Sequence, residues 1–213
     1  MLVRALTVGP FQENSYLLAD GATHDAVFVD PGDEGERLIA AVEEGGFTLR
    51  AIWITHGHLD HVGGIAALKR RFDVPVYLHP LDRPLYDRAE EQGRHYGVRI
   101  EAPPAPERDL AEGDVVAFGG LSFNVVHVPG HAPGHVAFVG HGVVFGGDVL
   151  FAGSIGRTDL PLCDARAMQR SLERLAALPP ETIVYPGHGP ATTIGEEART
   201  NPFLTGAARP ILR

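Results

Sequence analysis

The most constraining feature of the sequence is a short run of metal-ligand side chains, in which six positions carry His56, His58, Asp60 and His61. The preceding apolar run, residues 51–54, predicts a buried strand, and residues 65–71 predict a helix. Imidazole and carboxylate groups are common ligands of zinc and related metals. The run therefore predicts a metal-binding turn at the C-terminal end of a strand, where functional sites are often built. A polar loop with chance histidines is the weaker alternative.

The spacing within this run suggests more than one metal. His56 and His58 are two residues apart, so their side chains point the same way in extended backbone. Asp60 and His61 come later and can aim in another direction. Two metals side by side are therefore expected.

Three further turns place a His or Asp among Gly and Pro residues, each directly after a predicted strand. They are residues 129–135, 146–148 and 186–190, which contain His131, His135, Asp148 and His188. Glycine lets the backbone approach a metal closely, and proline fixes the loop. A single histidine in such a turn is more often a surface residue. Because the arrangement occurs four times, the turns together predict one shared site.

Apolar periodicity predicts a chain rich in short strands. Strands are predicted at residues 3–8, 15–19, 26–29, 51–54, 74–78, 115–118, 121–128, 136–139, 143–145 and 182–185. Helices are predicted at residues 34–44, 64–71, 81–93 (irregular), 165–178 and 194–199. Two-residue and three-residue turns join several strands as hairpins. This pattern excludes a doubly wound parallel sheet and favours two sheets packed face to face with helices outside.

Composition narrows the class of protein. The 213 residues, 44% of them hydrophobic, can build one sizeable core, and we expect a single domain over residues 1–213. The net charge of −9, with basic residues scattered, argues against nucleic acid as a partner. Cys163 is the sole cysteine, and no apolar run approaches the length of a membrane span. A cytoplasmic protein with no membrane partner is expected, and its oligomeric state stays open.

The ligand pattern resembles the metallo-β-lactamase superfamily. The run from His56 to His61, with His131, Asp148 and His188, matches the metal motif of that family at every ligand position. The resemblance covers essentially the whole chain, including the run that begins at Asp30. It implies an α/β fold, the four-layer αβ/βα sandwich, in which two mixed sheets pack face to face with helices outside.

The resemblance also implies how the ligands divide between two metals. By family position, metal 1 is held by His56, His58 and His131. Metal 2 is held by Asp60, His61 and His188. Asp148 bridges the two metals.

Within the superfamily, the chain is most similar to small bacterial proteins that resemble glyoxalase II. The likeness rests on residues 147–151, 153–159 and 193–197. It implies hydrolysis of small-molecule thioesters such as S-lactoylglutathione. Arg157, the candidate substrate-binding residue, stands where larger glyoxalase II proteins carry a glutathione-contacting Lys, but Asp159 replaces a nearby Tyr. The sequence also lacks their C-terminal helical extension, so a more open pocket is expected. Pairing of Arg157 with Asp159 or Asp164 is the alternative role.

The implied chemistry uses two divalent cations, with zinc expected first and iron or manganese as alternatives. Two cations that share a water lower its pKa from about 16 towards about 7, and a metal polarises the substrate carbonyl. This metal-bridging hydroxide replaces a Ser or Cys nucleophile. Asp60 is the expected catalytic residue, which orients the hydroxide and handles a proton. His135 is expected to hydrogen-bond to a ligand or to substrate, and a purely structural role for its ring is equally open.

Two other functions compete with hydrolysis. A mononuclear-iron persulfide dioxygenase of the same superfamily could bind iron through His56 or His58 with His131 and Asp148, leaving positions open for oxygen. A purely structural metal site is disfavoured, because such zinc sites are usually closed and rich in cysteine. Cys163 is expected to be a small packed residue. Structural roles are favoured for His24, His79, His95, His127 and His141.

Overall fold

The computed structural model describes residues 1–211, and within these residues the strands form two six-stranded sheets and one small hairpin. The first sheet has the order β1-β2-β3-β4-β5-β6. Its strands are β1 (Leu2–Val8), β2 (Glu13–Ala19), β3 (Asp25–Val29), β4 (Thr48–Trp53), β5 (Val76–Leu78) and β6 (Arg108–Asp109). Strands β1 to β3 form an antiparallel meander, as predicted, and β3 to β6 are parallel.

The second sheet is also mixed. Its strands are β7 (Val115–Phe118), β8 (Leu121–His127), β9 (Val136–Gly140), β10 (Val143–Gly147), β13 (Ile183–Pro186) and β14 (Thr192–Thr193). Their order is β14-β13-β10-β9-β8-β7, in which only β10 and β13 are parallel. The hairpin consists of β11 (Leu150–Phe151) and β12 (Ser154–Ile155).

The helices lie between and after these strands. They are α1 (Gly35–Glu44), α2 (Leu59–Val62), α3 (Ile65–Arg71), α4 (Arg83–Tyr86), α5 (Ala89–Tyr96), α6 (Ala165–Ala176) and α7 (Ile194–Thr200), with a 3-10 turn at Pro80–Asp82. Helix α6 shows why these segments are helical. Its N-cap is Asp164, whose carboxylate accepts hydrogen bonds from two backbone amides of the first turn. Met168, Leu172 and Leu175 then follow at helical spacing and are buried.

The two large sheets pack face to face through a shared apolar core. The Trp53 ring of β4 lies 5.6, 5.8 and 5.2 Å from the rings of Phe118, Phe123 and Phe138 in the second sheet. The alternate residue Ile52 points to the opposite face, where the core includes side chains of α1 and α3. The outer face of the second sheet packs on α6 and α7. The layers are therefore helix, sheet, sheet and helix, which confirms the predicted αβ/βα sandwich.

The predicted irregular helix over residues 81–93 is instead a 3-10 turn followed by the two short helices α4 and α5. Proline lacks a backbone N–H, so Pro84 is tolerated only in the first turn of a helix, and α4 begins next to it. Strands β6, β11, β12 and β14 were not predicted, because each has only two residues and shows no alternation.

The four predicted ligand turns meet at one edge of the sandwich. Because β3 and β4 are parallel, as are β10 and β13, the loops after each pair emerge on the same side. The two sheets are joined at this edge by backbone hydrogen bonds from Val136 to Thr55 and from Asn14 to Gly187, both 2.8 Å long. None of the described helices combines the length and the apolar character that crossing a bilayer requires.

Candidate metal centre

Three histidines from two loops converge on one point. His56 and His58 follow β4, and His131 follows β8. Their candidate ligand nitrogens all lie within 4.8 Å of one another, and Nδ1 of His58 is 2.8 Å from Nε2 of His131. All three side chains are buried. Three converging imidazole nitrogens are a donor set that suits zinc or iron.

A second group forms beside the first. Asp60 and His61 lie in the short helix α2, and His188 lies in the loop after β13. Their ligand atoms also lie within 4.8 Å of one another, with Nε2 of His188 3.3 Å from Oδ2 of Asp60. This group is closer to solvent than the first, because the side chains of His188 and Asp60 are 27% and 15% exposed.

Asp148 lies between the two groups. Its Oδ1 is 3.4 Å from Nε2 of His61, and its Oδ2 is 3.5 Å from Nε2 of both His131 and His188. The carboxylate therefore faces both groups at once. The structure brings together all seven residues that the sequence marks as candidate ligands.

Asp30 supports both groups from beneath. Its carboxylate accepts hydrogen bonds from the backbone N–H and the hydroxyl of Thr55, at 2.7 and 2.6 Å, and lies 3.0 Å from Nδ1 of His61. The Thr55 hydroxyl is in turn 3.1 Å from Nδ1 of His56. Bonds of this kind set the tautomer and the orientation of a ligating imidazole. The sequence marks Asp30 only as part of the resemblance and gives it no role.

Backbone carbonyls orient two further imidazoles. Nδ1 of His131 is 2.9 Å from the carbonyl of Arg157, and Nδ1 of His188 is 3.1 Å from the carbonyl of Phe11. A carbonyl can only accept a hydrogen bond, so Nδ1 carries the proton and Nε2 keeps its lone pair for a metal.

His135 stands behind the ligands. Its Nε2 accepts a 3.0 Å hydrogen bond from the backbone N–H of Asp148, and its ring stacks on that of His56 with centroids 4.6 Å apart. It belongs to neither convergent group. The sequence predicts that His135 hydrogen-bonds to a metal ligand or to substrate. In the structure it contacts a candidate ligand, through the backbone N–H of Asp148.

Two glycines let the backbone come close to Asp148. A Cβ at Gly156 would lie 1.8 Å from the Asp148 carbonyl oxygen, and a Cβ at Gly187 would lie 2.2 Å from its Oδ1. No side chain fits at these distances. Glycine is therefore required at both positions for Asp148 to face the two groups.

Burial and charge divide the imidazoles into two kinds. Burial lowers the pKa of His56, His58 and His131, that of His58 to about 3, so these rings are neutral, as ligands must be. Burial would also lower the pKa of His61, but the carboxylates of Asp148 and Asp60 outweigh it and raise that pKa well above its ordinary value. A proton on His61 and a divalent cation would thus compete for the same negative charge.

Unpartnered atoms test whether a metal fits. Nε2 of His56, Nε2 of His61 and Oδ1 of Asp148 are buried without a hydrogen-bond partner among the described residues. A buried polar atom left unpaired costs free energy, and all three atoms face the convergent groups. The residues therefore fit a pair of divalent cations bound by nitrogen and carboxylate oxygen.

Arg157 and Cys163 lie at the border of the site. The side chain of Arg157 is 61% exposed, and its guanidinium donates two 2.8 Å hydrogen bonds to the Asp159 carboxylate. The Cys163 thiol lies 3.0 Å from the carbonyl of His131. Arg157 is thus paired with Asp159, one of the two carboxylates expected from the sequence. Its backbone carbonyl contacts the candidate ligand His131.

Sequence reasoning missed two buried carboxylates. Oε1 of Glu13 lies 3.9 Å from Nδ1 of His61, which is too far for a hydrogen bond, and has no hydrogen-bond partner among the described residues. Asp82 accepts hydrogen bonds from the backbone amides of Gly57 and Gly134, which lie in the loops after β4 and β8. Neither lies near a ligand in the sequence. The run from Gln12 to Asn14 reads as a polar turn, so no local signal distinguishes Glu13.

Comparison with known proteins gives consistent matches along the chain. Residues 8–188 match the model of the metallo-beta-lactamase superfamily. Hydroxyacylglutathione hydrolase GloC of Haemophilus influenzae is 40% identical over 209 residues, which cover 96% of this chain and 98% of that protein. The crystal structure of TTHA1623 in a di-iron-bound form is 53% identical, with a TM-score of 0.89 over 95% of this chain and 100% of the other. ETHE1 from Myxococcus xanthus is 32% identical, with a TM-score of 0.82 over 97% and 85% of the two chains.

Proposed function

The chain belongs to the metallo-β-lactamase superfamily, and we propose that it is a dinuclear metal-dependent hydrolase acting on small acyl thioesters. The observation that carries the proposal is the position of Asp148, whose two carboxylate oxygens face two neighbouring groups of ligand atoms. A structural site would need only one such group. The 40% sequence identity with a hydroxyacylglutathione hydrolase, over nearly the full length of both chains, supports a thioester as the substrate.

Seven residues would hold the two ions. His56, His58 and His131 would hold the first ion. Asp60, His61 and His188 would hold the second, and Asp148 would bridge both. Zinc is the first candidate, with iron or manganese as alternatives. When bound, two divalent cations would supply a water of lowered pKa as nucleophile and would polarise the carbonyl of the thioester.

Asp60 is the proposed catalytic residue of the chain itself. In the metal-free chain, burial would raise the pKa of its carboxyl, but the charge of His61 and the hydrogen bond with His188 outweigh this and lower it. A bound cation would lower this pKa in the same way, in place of the proton on His61. A carboxyl with a lowered pKa keeps its charge and accepts hydrogen bonds well, but holds a proton weakly. Asp60 would therefore orient the attacking water and pass its proton onwards rather than store it. Its partial exposure puts it on the side that substrate can reach.

Arg157 is the proposed contact for the thiol portion of the substrate. Its guanidinium is exposed and already fixed by the Asp159 carboxylate, so its remaining N–H groups are held in one orientation. Such a fork suits a carboxylate or an amide oxygen. The ring of Phe151 lies 6.0 Å from that of His188, so an apolar ring also borders the candidate ligands. The substrate would thus meet both a cation and an apolar ring at the border of the site.

A panel of thioesters tests this proposal. The protein would be loaded separately with zinc, manganese and iron, and thiol release would be measured for S-lactoylglutathione, other glutathione thioesters and coenzyme A thioesters. We expect turnover of several members, because the site is open on the Asp60 side. Failure to release thiol from every thioester with all three metals would refute the hydrolase.

A mononuclear-iron persulfide dioxygenase is the second candidate. His56, His61 and Asp148 also form a group with ligand atoms within 4.8 Å, and two histidines with one carboxylate are a typical ligand set for iron that activates oxygen. The likeness to ETHE1 and to a di-iron form of TTHA1623 supports iron as an alternative metal. Oxygen consumption with glutathione persulfide, in place of thioester hydrolysis, would favour this candidate.

Two broader expectations stay predictions. One is that residues 1–213, of which the last two lie outside the described part, form a single domain. The other is that the protein is cytoplasmic and has neither nucleic acid nor membrane as a partner.

A further inference from the structure

Asp82 connects the two loops that carry the first group of histidines. It ends the 3-10 turn after β5 and is completely buried. Its Oδ2 accepts a 2.8 Å hydrogen bond from the backbone N–H of Gly57, and its Oδ1 accepts one from the backbone N–H of Gly134. Each carboxylate oxygen is therefore bonded to a different loop.

Both glycines lie within the ligand runs. Gly57 separates His56 from His58, and Gly134 lies between His131 and His135. The loops are joined elsewhere by the backbone bond from Val136 to Thr55, which precedes the first ligand. Asp82 adds a connection at Gly57 itself, between the two histidines. The 2.8 Å approach of His58 to His131 occurs where these loops meet.

The connection depends on close backbone contact. A Cβ at Gly57 would lie 2.7 Å from the carbonyl oxygen of Asp82, and a Cβ at Gly134 would lie 2.7 Å from its backbone nitrogen and 2.8 Å from Oδ1. The three residues are thus packed as one unit. Only glycine at both loop positions leaves room for Asp82 in this arrangement.

The charge of Asp82 is costly to bury. Burial raises the pKa of its carboxyl to about 6, and the two amide bonds oppose that rise, so the group is largely ionised at neutral pH. A buried charge costs free energy unless hydrogen bonds compensate it. The benefit of an ionised carboxylate at this position is therefore that it can accept two hydrogen bonds in fixed directions.

We propose that Asp82 is a positioning residue that holds the two ligand loops at the spacing in which His56, His58 and His131 bind one metal ion. The inference rests on the ligand assignment of the proposed function, and it does not depend on the substrate. It predicts a specific loss of affinity at this metal site when the carboxylate is changed.

The test measures zinc affinity by competition with a chromophoric chelator. The background is His188→Ala, in which the first group remains intact and the second has lost a ligand. Asp82→Asn keeps the size of the side chain but places an NH₂ group against a backbone donor. We expect zinc to bind about 10–100-fold more weakly, the usual effect of losing a residue that orients metal ligands. The cobalt absorption spectrum of the same protein should shift, because the geometry of the ligands changes.

Asp20→Asn is the matched control. The Asp20 carboxylate also accepts hydrogen bonds from two backbone amides, those of Ala22 and Gly120, and also joins two loops. It lies at the end of β2 opposite Glu13 and the metal edge. Replacing the Asp20 carboxylate in Asp20→Asn should lower the free energy of unfolding of the metal-free protein and leave zinc affinity unchanged.

Gly134→Ala is the second variant, because it keeps the carboxylate but forces it away from the loop. It should weaken zinc binding as Asp82→Asn does. Unchanged zinc affinity in both variants, or an equal loss in Asp20→Asn, would overturn the proposal. Thermal unfolding of each metal-free variant separates loss of folding from loss of the site. Zinc binding weakened by Asp82→Asn, together with no thioester turnover by the wild-type protein, would refute the proposed function and leave the role of Asp82 intact.

Discussion

Gly187→Ala should disrupt the metal site through a single added methyl group. The new Cβ would lie 2.2 Å from Oδ1 of Asp148 and 2.7 Å from Cε1 of His61, whereas ordinary contact begins at 3.4 Å. The new Cβ would therefore be about 1.2 Å too close to Oδ1 of Asp148. The backbone cannot retreat, because the N–H of Gly187 bonds to Gly147 and its carbonyl accepts from Asn14, at 2.9 and 2.8 Å. Asp148 must therefore move.

A displacement of that size is large for a metal ligand, since metal–ligand distances are held to about ±0.2 Å. Because changing a residue that merely orients a ligand already costs about 10–100-fold in affinity, we expect at least about 100-fold here. That corresponds to about 2.8 kcal/mol of binding free energy. Thioester turnover at limiting metal should fall in parallel.

Gly146→Ala is the matched control, because Gly146 lies on the neighbouring strand β10, two residues before Asp148, and a Cβ there meets nothing within 4 Å. Metal affinity of both variants would be measured by chelator competition, with thermal unfolding of the metal-free proteins as a check on folding. The steric reasoning would be refuted by a folded Gly187→Ala protein that binds metal as tightly as the Gly146→Ala protein.

Three further changes test individual roles. Asp148→Ala should lower metal content and abolish thioester hydrolysis in a chain that remains folded; full metal content with near-normal turnover would contradict the bridging role. His188→Ala should leave about one metal per chain and sharply reduce hydrolysis, since it removes one set of ligands; oxygen uptake with glutathione persulfide that survives this change would favour the dioxygenase. Arg157→Ala should raise KM for a glutathione thioester about tenfold with little change in kcat, because Arg157 would bind the ground state and the transition state equally. An unchanged KM would exclude the substrate contact.

The sequence alone predicts the layers of the fold and the edge at which the site lies. His56, His58 and His61 are neighbours in the chain, so the sequence alone predicts that they share a metal-binding role. The more distant candidates, Asp148 and His188, are recognisable in the sequence because each follows an apolar strand in a Gly-containing turn. Parallel pairing of β10 with β13 then brings these turns together.

The supporting carboxylates could not be predicted, because their partners are backbone amides far away in the chain. Asp82 bonds to amides 25 and 52 residues distant, and Asp30 bonds to Thr55, 25 residues away. Any Asp can accept from a backbone N–H, so no residue pattern marks these contacts. The pairing of Arg157 with Asp159 was one of two alternatives in sequence, and only side-chain geometry distinguishes them.

The most direct test of a dinuclear hydrolase is the number of metal ions bound per chain. Elemental analysis would be made on protein purified without added metal, and in parallel on His188→Ala. We expect about two ions in the wild-type protein and about one in the variant, since Asp148 faces two ligand groups. A single iron per chain in both proteins would contradict the dinuclear site and favour the oxygenase.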